Sequence, residues 1–516
     1  LVENGGTLFL DNSATAHSDR ISDSAYIELY AGTIAFNPGD FGFLTQEVGE
    51  VWLSGGANQI DLYLGSAAGG QLLAEALWRW GSNTLNIRYI DPTGGAAPTN
   101  VHLALKDHES LDWESVGGIL PWATITEGAQ VNWVEWEASV STDFNPLTNY
   151  HTGNPADWLD EHNVLVDGGM ATLPAQEESE SLHINSLKLA NSGVLNLGDA
   201  NNTLNLLSGG LLSTGANDQI QGIGNVSAFG EDHLHIPFYV HVHGSSLTVG
   251  GAVALSVGAG SAIVKTGDGT LRLNGDGVTM SGGELVINQG TVAFEKGLGM
   301  NFYTVRIGDG TGTDVLELPA NHLNPLEGEP DIILHGSPYG ANPDSGEFDA
   351  AILRFGGGTE QHAYSLHVEG RGTLDFVGGT ESAPNMLYLE EFTLEDFETT
   401  MLFIRNWEDQ RDVLLVRHDA TNIALIDAEF LSRINFEGYD TPAQWVYWSN
   451  EYWEIKPFPE PSTYGAILGA VGFGLVIWRR RRRIGTKNGH AAKAERASAL
   501  LALLHTSSAP TPNQSL

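Results

Sequence analysis

One short pattern constrains this chain more than any other: a small or turn residue, one spacer, then apolar-x-apolar. It reads Gly193-Val194-Leu195-Asn196-Leu197, Asn202-Thr203-Leu204-Asn205-Leu206, Gly269-Thr270-Leu271-Arg272-Leu273, Gly283-Glu284-Leu285-Val286-Ile287 and Gly290-Thr291-Val292-Ala293-Phe294. Alternation with period two sends one set of side chains to a buried face and the other outward. Consecutive strands start 7, 9 or 14 residues apart, as in a coil whose turns vary in length. A strand this short cannot bury a core by itself, so stability has to come from stacking one coil on the next. The predicted fold is all-β, a right-handed parallel β-helix.

The same alternation runs through the first hundred residues, as in Ala25-Tyr26-Ile27-Glu28-Leu29 and Gln59-Ile60-Asp61-Leu62-Tyr63-Leu64, with Gly, Asn, Ser and Asp clusters supplying turns between strands. Gln71–Trp80, QLLAEALWRW, reads instead as a brief helix. The 63 glycines suit many tight turns, and the absence of cysteine excludes disulfides and cysteine-ligated metals.

The chain divides into 1–108, the start of the solenoid; 109–175, an irregular tryptophan-rich β segment; 176–325, the clearest repeats; 326–455, the solenoid end with an aromatic cap; 456–484, a composite terminal signal; and 485–516, a disordered basic tail. It opens Leu1-Val2-Glu3 with no basic or apolar leader, which reads as a processed or truncated chain. The tail from Arg479 holds eight Lys or Arg against one acid, so the formal charge of −40 becomes −47 for positions 1–478. A body so acidic repels nucleic acid and anionic lipid, which excludes both as its partners.

Candidate chemistry is sparse. Trp113, Trp133 and Trp136 are candidates for a glycan-binding platform, because sugar faces stack on exposed indoles; clustered tryptophans more often fill a core. The segment Gly117–Thr124, GGILPWAT, resembles one that recurs in large bacterial surface β-helix proteins, which favours the core reading. His233 and His235 share a strand face, as do His241 and His243, and each pair has chelating geometry. Pro237 interrupts the strand and no charged groups are evident behind the imidazoles to orient them, so no metal or cofactor is expected. The turns around Asp268, Asp276 and Asp309 lack the iterated nine-residue pattern of a calcium repeat. No nucleophile elbow, phosphate loop or zinc-protease motif is present, so the chain is not expected to be an enzyme.

Ser261–Phe294 resembles the autotransporter-associated β-strand repeat through Lys265, Gly267, Gly269, Thr270, Leu271, Leu273, Gly275, Gly283, Gly290 and Thr291. That resemblance implies a passenger-type solenoid outside the cell and no catalytic residue.

The terminal signal has three parts in order. Pro459-Glu460-Pro461 is stiff and blocks helix upstream. Ser462–Trp478 holds seventeen residues without a charge, the short end of the roughly 17 to 25 that span a bilayer. Tyr464 opens the apolar run, Trp478 suits the headgroup level, and Arg479, Arg480, Arg481, Arg482 and Arg483 are costly to translocate. The order resembles the PEP-CTERM sorting signal of Gram-negative bacteria. The resemblance implies recognition by an exosortase, transient anchoring in the inner membrane, and delivery to the cell surface or extracellular matrix. Such signals usually end soon after the basic run, whereas thirty-three residues follow Arg483 here. The expected function is therefore that of an exported structural or interaction protein, with exopolysaccharide as a candidate partner; the alternative is a secreted glycan-binding or polysaccharide-degrading β-helix protein.

Overall fold

Glycine-punctuated alternating segments do fold into strands that stack in parallel. The computed structural model describes residues 1–458, except 41, 65–68, 92–100, 108–110, 112–114, 137–142, 178–179, 229–235, 259, 297–298, 339–349, 397, 419–421, 423–425 and 450. Leu1–Pro457 forms one compact unit and Phe458–Leu516 a second, of which only Phe458 is described. The first unit is a parallel β-solenoid of about 14 turns. Among the described residues no helix is long and apolar enough to cross a membrane, and the expected span 462–478 lies outside them.

The solenoid is laid down as two stacks. In the first, each rung has two strands. Val2–Glu3, Ile27–Tyr30, Leu44–Gly55, Gly70–Arg79 and Val101–Leu105 form one sheet. Thr7–Asp11, Thr33–Asn37, Ala57–Tyr63, Thr84–Ile90 and Ile119–Glu127 form the other in parallel, with Gln130–Glu135 and Asn145–Pro146 added antiparallel. Gln71–Trp80 is therefore not a helix but most of the strand Gly70–Arg79, paired with Leu44–Leu53 on one side and Val101–Leu105 on the other. Two ready-made ladders satisfy its backbone, and that outweighs the helix preference of Leu, Ala and Glu.

The second stack, Asn163–Pro457, carries a three-sided rung through its middle. Ala262–Thr266 lies between Phe238–Val242 and Glu284–Ile287; Thr270–Asn274 lies between Ser246–Gly250 and Thr291–Lys296; Thr279–Ser281 lies over Ala252–Ser256. Ile263, Leu271, Leu273, Met280, Leu285, Val292 and Phe294 point inward into one continuous apolar column. Each such side chain contributes roughly 1.5–3 kcal/mol by burial.

The residues of the repeat pattern make this rung's corner. Gly267 has φ of +81°, open to glycine at little cost, and a Cβ on Gly269 would lie 2.0 Å from the carbonyl oxygen of Gly244 in the rung beneath. Lys265 points inside, where its Nζ donates to the carbonyls of Gly267 (2.6 Å) and Gln289 (2.7 Å). Burial pushes this amine down to about 7 against the pull of Asp314 and Asp268. The aspartates of the glycine-rich turns act in the same way: Asp314 accepts from the Gly290 N–H and Asp218 from those of Gly193 and Gly215.

Contacts between the stacks reveal their relative direction. Asp309 accepts from the N–H of Ala57, Asn288 donates to the carbonyl of Ser82, and Thr84 donates to Thr266. Arg79 donates to the Tyr239 hydroxyl, His241 bonds the carbonyl of Pro121, and Asn185 donates to that of Val116. As numbers rise along the first stack they fall along the second, so the chain climbs one stack and returns beside it. Tyr239, Ala262, Val264 and Val286, which point out of the second stack, belong to the apolar core of the first.

The reversal is built from the tryptophan-rich segment. Gly128 (φ +59°) turns the last parallel strand into the antiparallel Gln130–Glu135, and Trp136 packs on Phe144 at 5.0 Å. Trp133 joins Ile119, Val131 and Leu147 with Leu212 of the second stack. A Cβ on Gly210 would lie 3.1 Å from the Trp133 ring, so the bare glycine admits the indole. At the far end of the second stack, the antiparallel hairpin Ala443–Tyr447/Tyr452–Pro457 pairs with Asp412–Arg417 and occupies that sheet's last edge. Trp407 lies beneath it between Phe376 and Phe436.

Candidate ligand-binding surface

An aromatic row lies on the outer face of the first stack. In the register of Ile27–Tyr30, Leu44–Gly55 and Gly70–Arg79, Glu28 pairs with Trp52 and Trp52 with Trp78. Alternation turns all three outward, while Leu29, Leu53 and Leu77 on the neighbouring positions enter the core. Tyr26 and Trp80 flank the row. Ring centroids are 6.1 Å apart for Tyr26 and Trp52, 5.7 Å for Trp52 and Trp78, and 6.1 Å for Trp52 and Trp80, the last pair only 19° from parallel. Trp80 is 64% exposed and Tyr26 54%. Glu50 accepts from the Trp52 Nε1 at 3.0 Å and fixes that indole.

Such a row combines flat apolar faces with carboxylates at its side. The C–H faces of a pyranose pack well on indoles, and carboxylates such as Glu28 and Glu50 can accept from hydroxyls at a ring edge. No second charge is needed on the ligand, and the acidic body disfavours an anionic one.

A second concave feature lies between the stacks, a cleft of about 410 Å³. One wall is a polar ladder of Thr33, Gln59, Asn86 and Thr126; the other carries His243 and Asp268. Arg88 on the first wall is held by two bonds to Asp61, at 2.8 and 2.7 Å. The buried carboxyl of Asp309 accepts from Ala57 and from the backbone and hydroxyl of Thr311. Burial pushes it up to about 7 despite these bonds.

The expected site residues fall in different places. Trp133 and Trp136, at 0% and 1% exposure, are core side chains on which no sugar can stack, which corrects their reading as a glycan platform. They are buried because the reversal of the chain wraps a second stack and a hairpin around them. Trp113, His233, His235, Pro459, Glu460, Pro461, Tyr464, Trp478 and Arg479–Arg483 lie outside the described residues. His241 and His243 do share a face, 6.1 Å between rings, but that face is the junction of the stacks. His241 is spent on the Pro121 carbonyl at 3.0 Å and His243 lies 3.4 Å from the Thr124 hydroxyl. Burial pushes them down to about 3 and about 4, His241 with further help from His243 and both from Lys265, so both are neutral struts.

Sequence reading passed over the exposed row. Its signal was the 26-residue spacing of Trp52 and Trp78, equal to the offset between the paired strands Leu44–Gly55 and Gly70–Arg79. Reading Gln71–Trp80 as helix hid it. No protein family, curated protein or solved structure matches this chain.

Proposed function

We propose that this chain is an exported cell-surface or extracellular-matrix interaction protein whose ligand is a neutral polysaccharide. The observation that carries the ligand class is the aromatic row in which exposed Tyr26 and Trp80 flank the partly exposed Trp52 and Trp78, with Glu28 and Glu50 beside it. Monomeric proteins rarely expose contiguous aromatic surface without a partner for it. A parallel stack suits a polymer, because successive rungs repeat the contact along one axis.

Delivery rests on the ordered tail: Pro459-Glu460-Pro461 is read by an exosortase while Ser462–Trp478 and the arginines hold the protein in the inner membrane. The membrane enzyme then releases or re-anchors the acidic body outside.

Two experiments test these claims separately. In affinity electrophoresis through gels containing a neutral β-glucan, an α-glucan or a galactomannan, the protein is retarded by at least one polymer, and Trp80→Ala with Trp52→Ala abolishes the retardation. Retardation equal to that of the double variant rejects the glycan reading. Fractionation of cells producing the chain with and without 456–516 tests sorting; equal surface delivery of both forms rejects it.

A further inference from the structure

A second cluster lies on the second stack, beside Tyr30 of the first. His335 ends the strand Asp331–His335, His367 and Glu369 lie in Glu360–Glu369, and Glu395 follows Asn385–Leu394. The registers align them: His335 pairs with Glu369, and His367 with Thr393. Two-residue alternation turns His367 and Glu369 to one side of their strand, with Thr393 and Glu395 on the same side of the next. Three adjacent rungs thus present one group of nitrogen and oxygen donors.

We propose that His367, Glu369 and Glu395 form a binding site for one divalent transition-metal ion of the Zn²⁺ class. The Nε2 of His367 lies 3.5 Å from a Glu369 oxygen and 3.0 Å from a Glu395 oxygen, and the three donor atoms fall within 4.8 Å of one another. Ligands about 2.0–2.1 Å from a tetrahedral ion stand about 3.3 Å apart, so little movement is needed to seat one between them. The supporting contacts are those that metal-bound histidines use. The Nδ1 of His367 is hydrogen-bonded to the Thr393 hydroxyl, which turns Nε2 toward the two carboxylates it pairs with. The other oxygen of Glu369 lies 3.5 Å from the Nδ1 of His335, a largely buried ring nitrogen without a hydrogen-bond partner. His335 is itself held against the Tyr30 ring at 5.7 Å, so it acts as a positioning residue for Glu369. An imidazole among the donors favours Zn²⁺, Ni²⁺ or Co²⁺ over Ca²⁺ and Mg²⁺, and the half-exposed Glu395 leaves the remaining coordination position open to water.

Isothermal titration of the chelator-stripped full chain with ZnCl₂ tests the site. The expected result is one saturable Zn²⁺ per chain that excess Ca²⁺ does not displace, with Co²⁺ giving a visible absorption band of low-coordinate geometry. His367→Ala removes both signals. Thr393→Val weakens Zn²⁺ by about 10-fold or more through loss of imidazole orientation, while His418→Ala changes nothing. His367→Gln, with unchanged circular dichroism, repeats the test where the alanine variant folds poorly. Equal Zn²⁺ uptake by the His367 variants, uptake displaced by Ca²⁺, or no saturable uptake overturns the proposal, and none of these bears on the glycan reading.

Discussion

Two of the tryptophan groups in this molecule do opposite things. Trp122, Trp133 and Trp136 are buried where the chain turns from one stack into the other; Trp52, Trp78 and Trp80 line an outer face. The first group is the denser in sequence. What separates them is what lies opposite. The strand carrying Trp133 meets the second stack at Gly210 and Leu212, whereas the strands carrying Trp52 and Trp78 have their paired neighbours beside them and leave both indoles partly exposed. Tryptophan density reports where apolar area accumulates, and the partner decides whether that area is core or surface.

The sharpest way to break this contrast is Trp133→Ala. Loss of a fully buried indole between the stacks is expected to cost about 3–5 kcal/mol, read as a lower urea midpoint. Trp133→Phe retains most of that, since the Nε1 has no hydrogen-bond partner. A loss for Trp133→Ala no greater than for a surface substitution would mean that the reversal is not held by its aromatics.

Buried charge extends the contrast inward. Lys265 is held at about 7 inside the rung, below its unfolded value near 10.5, so the unfolded chain binds more protons between those limits. Stability from this group rises with pH from about 7 to 10.5, and Lys265→Met abolishes that rise between denaturant titrations at the two ends of the window. Asp309 works in the other direction. With its carboxyl near 7, above the ordinary 3.8, the native state binds the extra proton, and its contribution falls as pH rises from 4 through 7. Asp309→Ala flattens that part of the profile.

Gly210→Ala probes the same packing as Trp133 with a smaller perturbation. The added methyl meets an indole that has no room to retreat, and a loss of about 1 kcal/mol in unfolding free energy is expected. The smallest effect on stability belongs to Trp80→Ala, within about 0.5 kcal/mol of the parent. That same variant carries the largest expected loss of glycan retardation after the double variant, so stability and binding separate cleanly between the two tryptophan groups.

Much of the strand content was legible because it rests on local chemistry. Leu271 and Leu273 alternate with Thr270 and Arg272, and Gly267 and Gly269 make a corner that a Cβ would obstruct. Such patterns need only neighbouring residues to be read. The expected helix at Gln71–Trp80 failed for the opposite reason: its fate was decided by Leu44–Leu53 and Val101–Leu105, which supply the ladder on each side. The His367 group escaped notice because its members lie on separate strands, brought into line only by register.

The sequence by itself determined the period-two alternation, the glycine corners and the need to stack coils, since these follow from backbone geometry and the shortness of each strand. It also carries the succession of Pro459-Glu460-Pro461, an uncharged run and five arginines, a property of residue order alone. Tertiary structure decided that there are two stacks running in opposite directions, that Trp133 is core while Trp80 is surface, and that His367, Glu369 and Glu395 converge. The two stacks share one local pattern, so nothing within either one specifies the other's position. That position comes from apolar and hydrogen-bonding contacts between residues far apart in the chain, such as Ala57 with Asp309 and Tyr239 with Arg79.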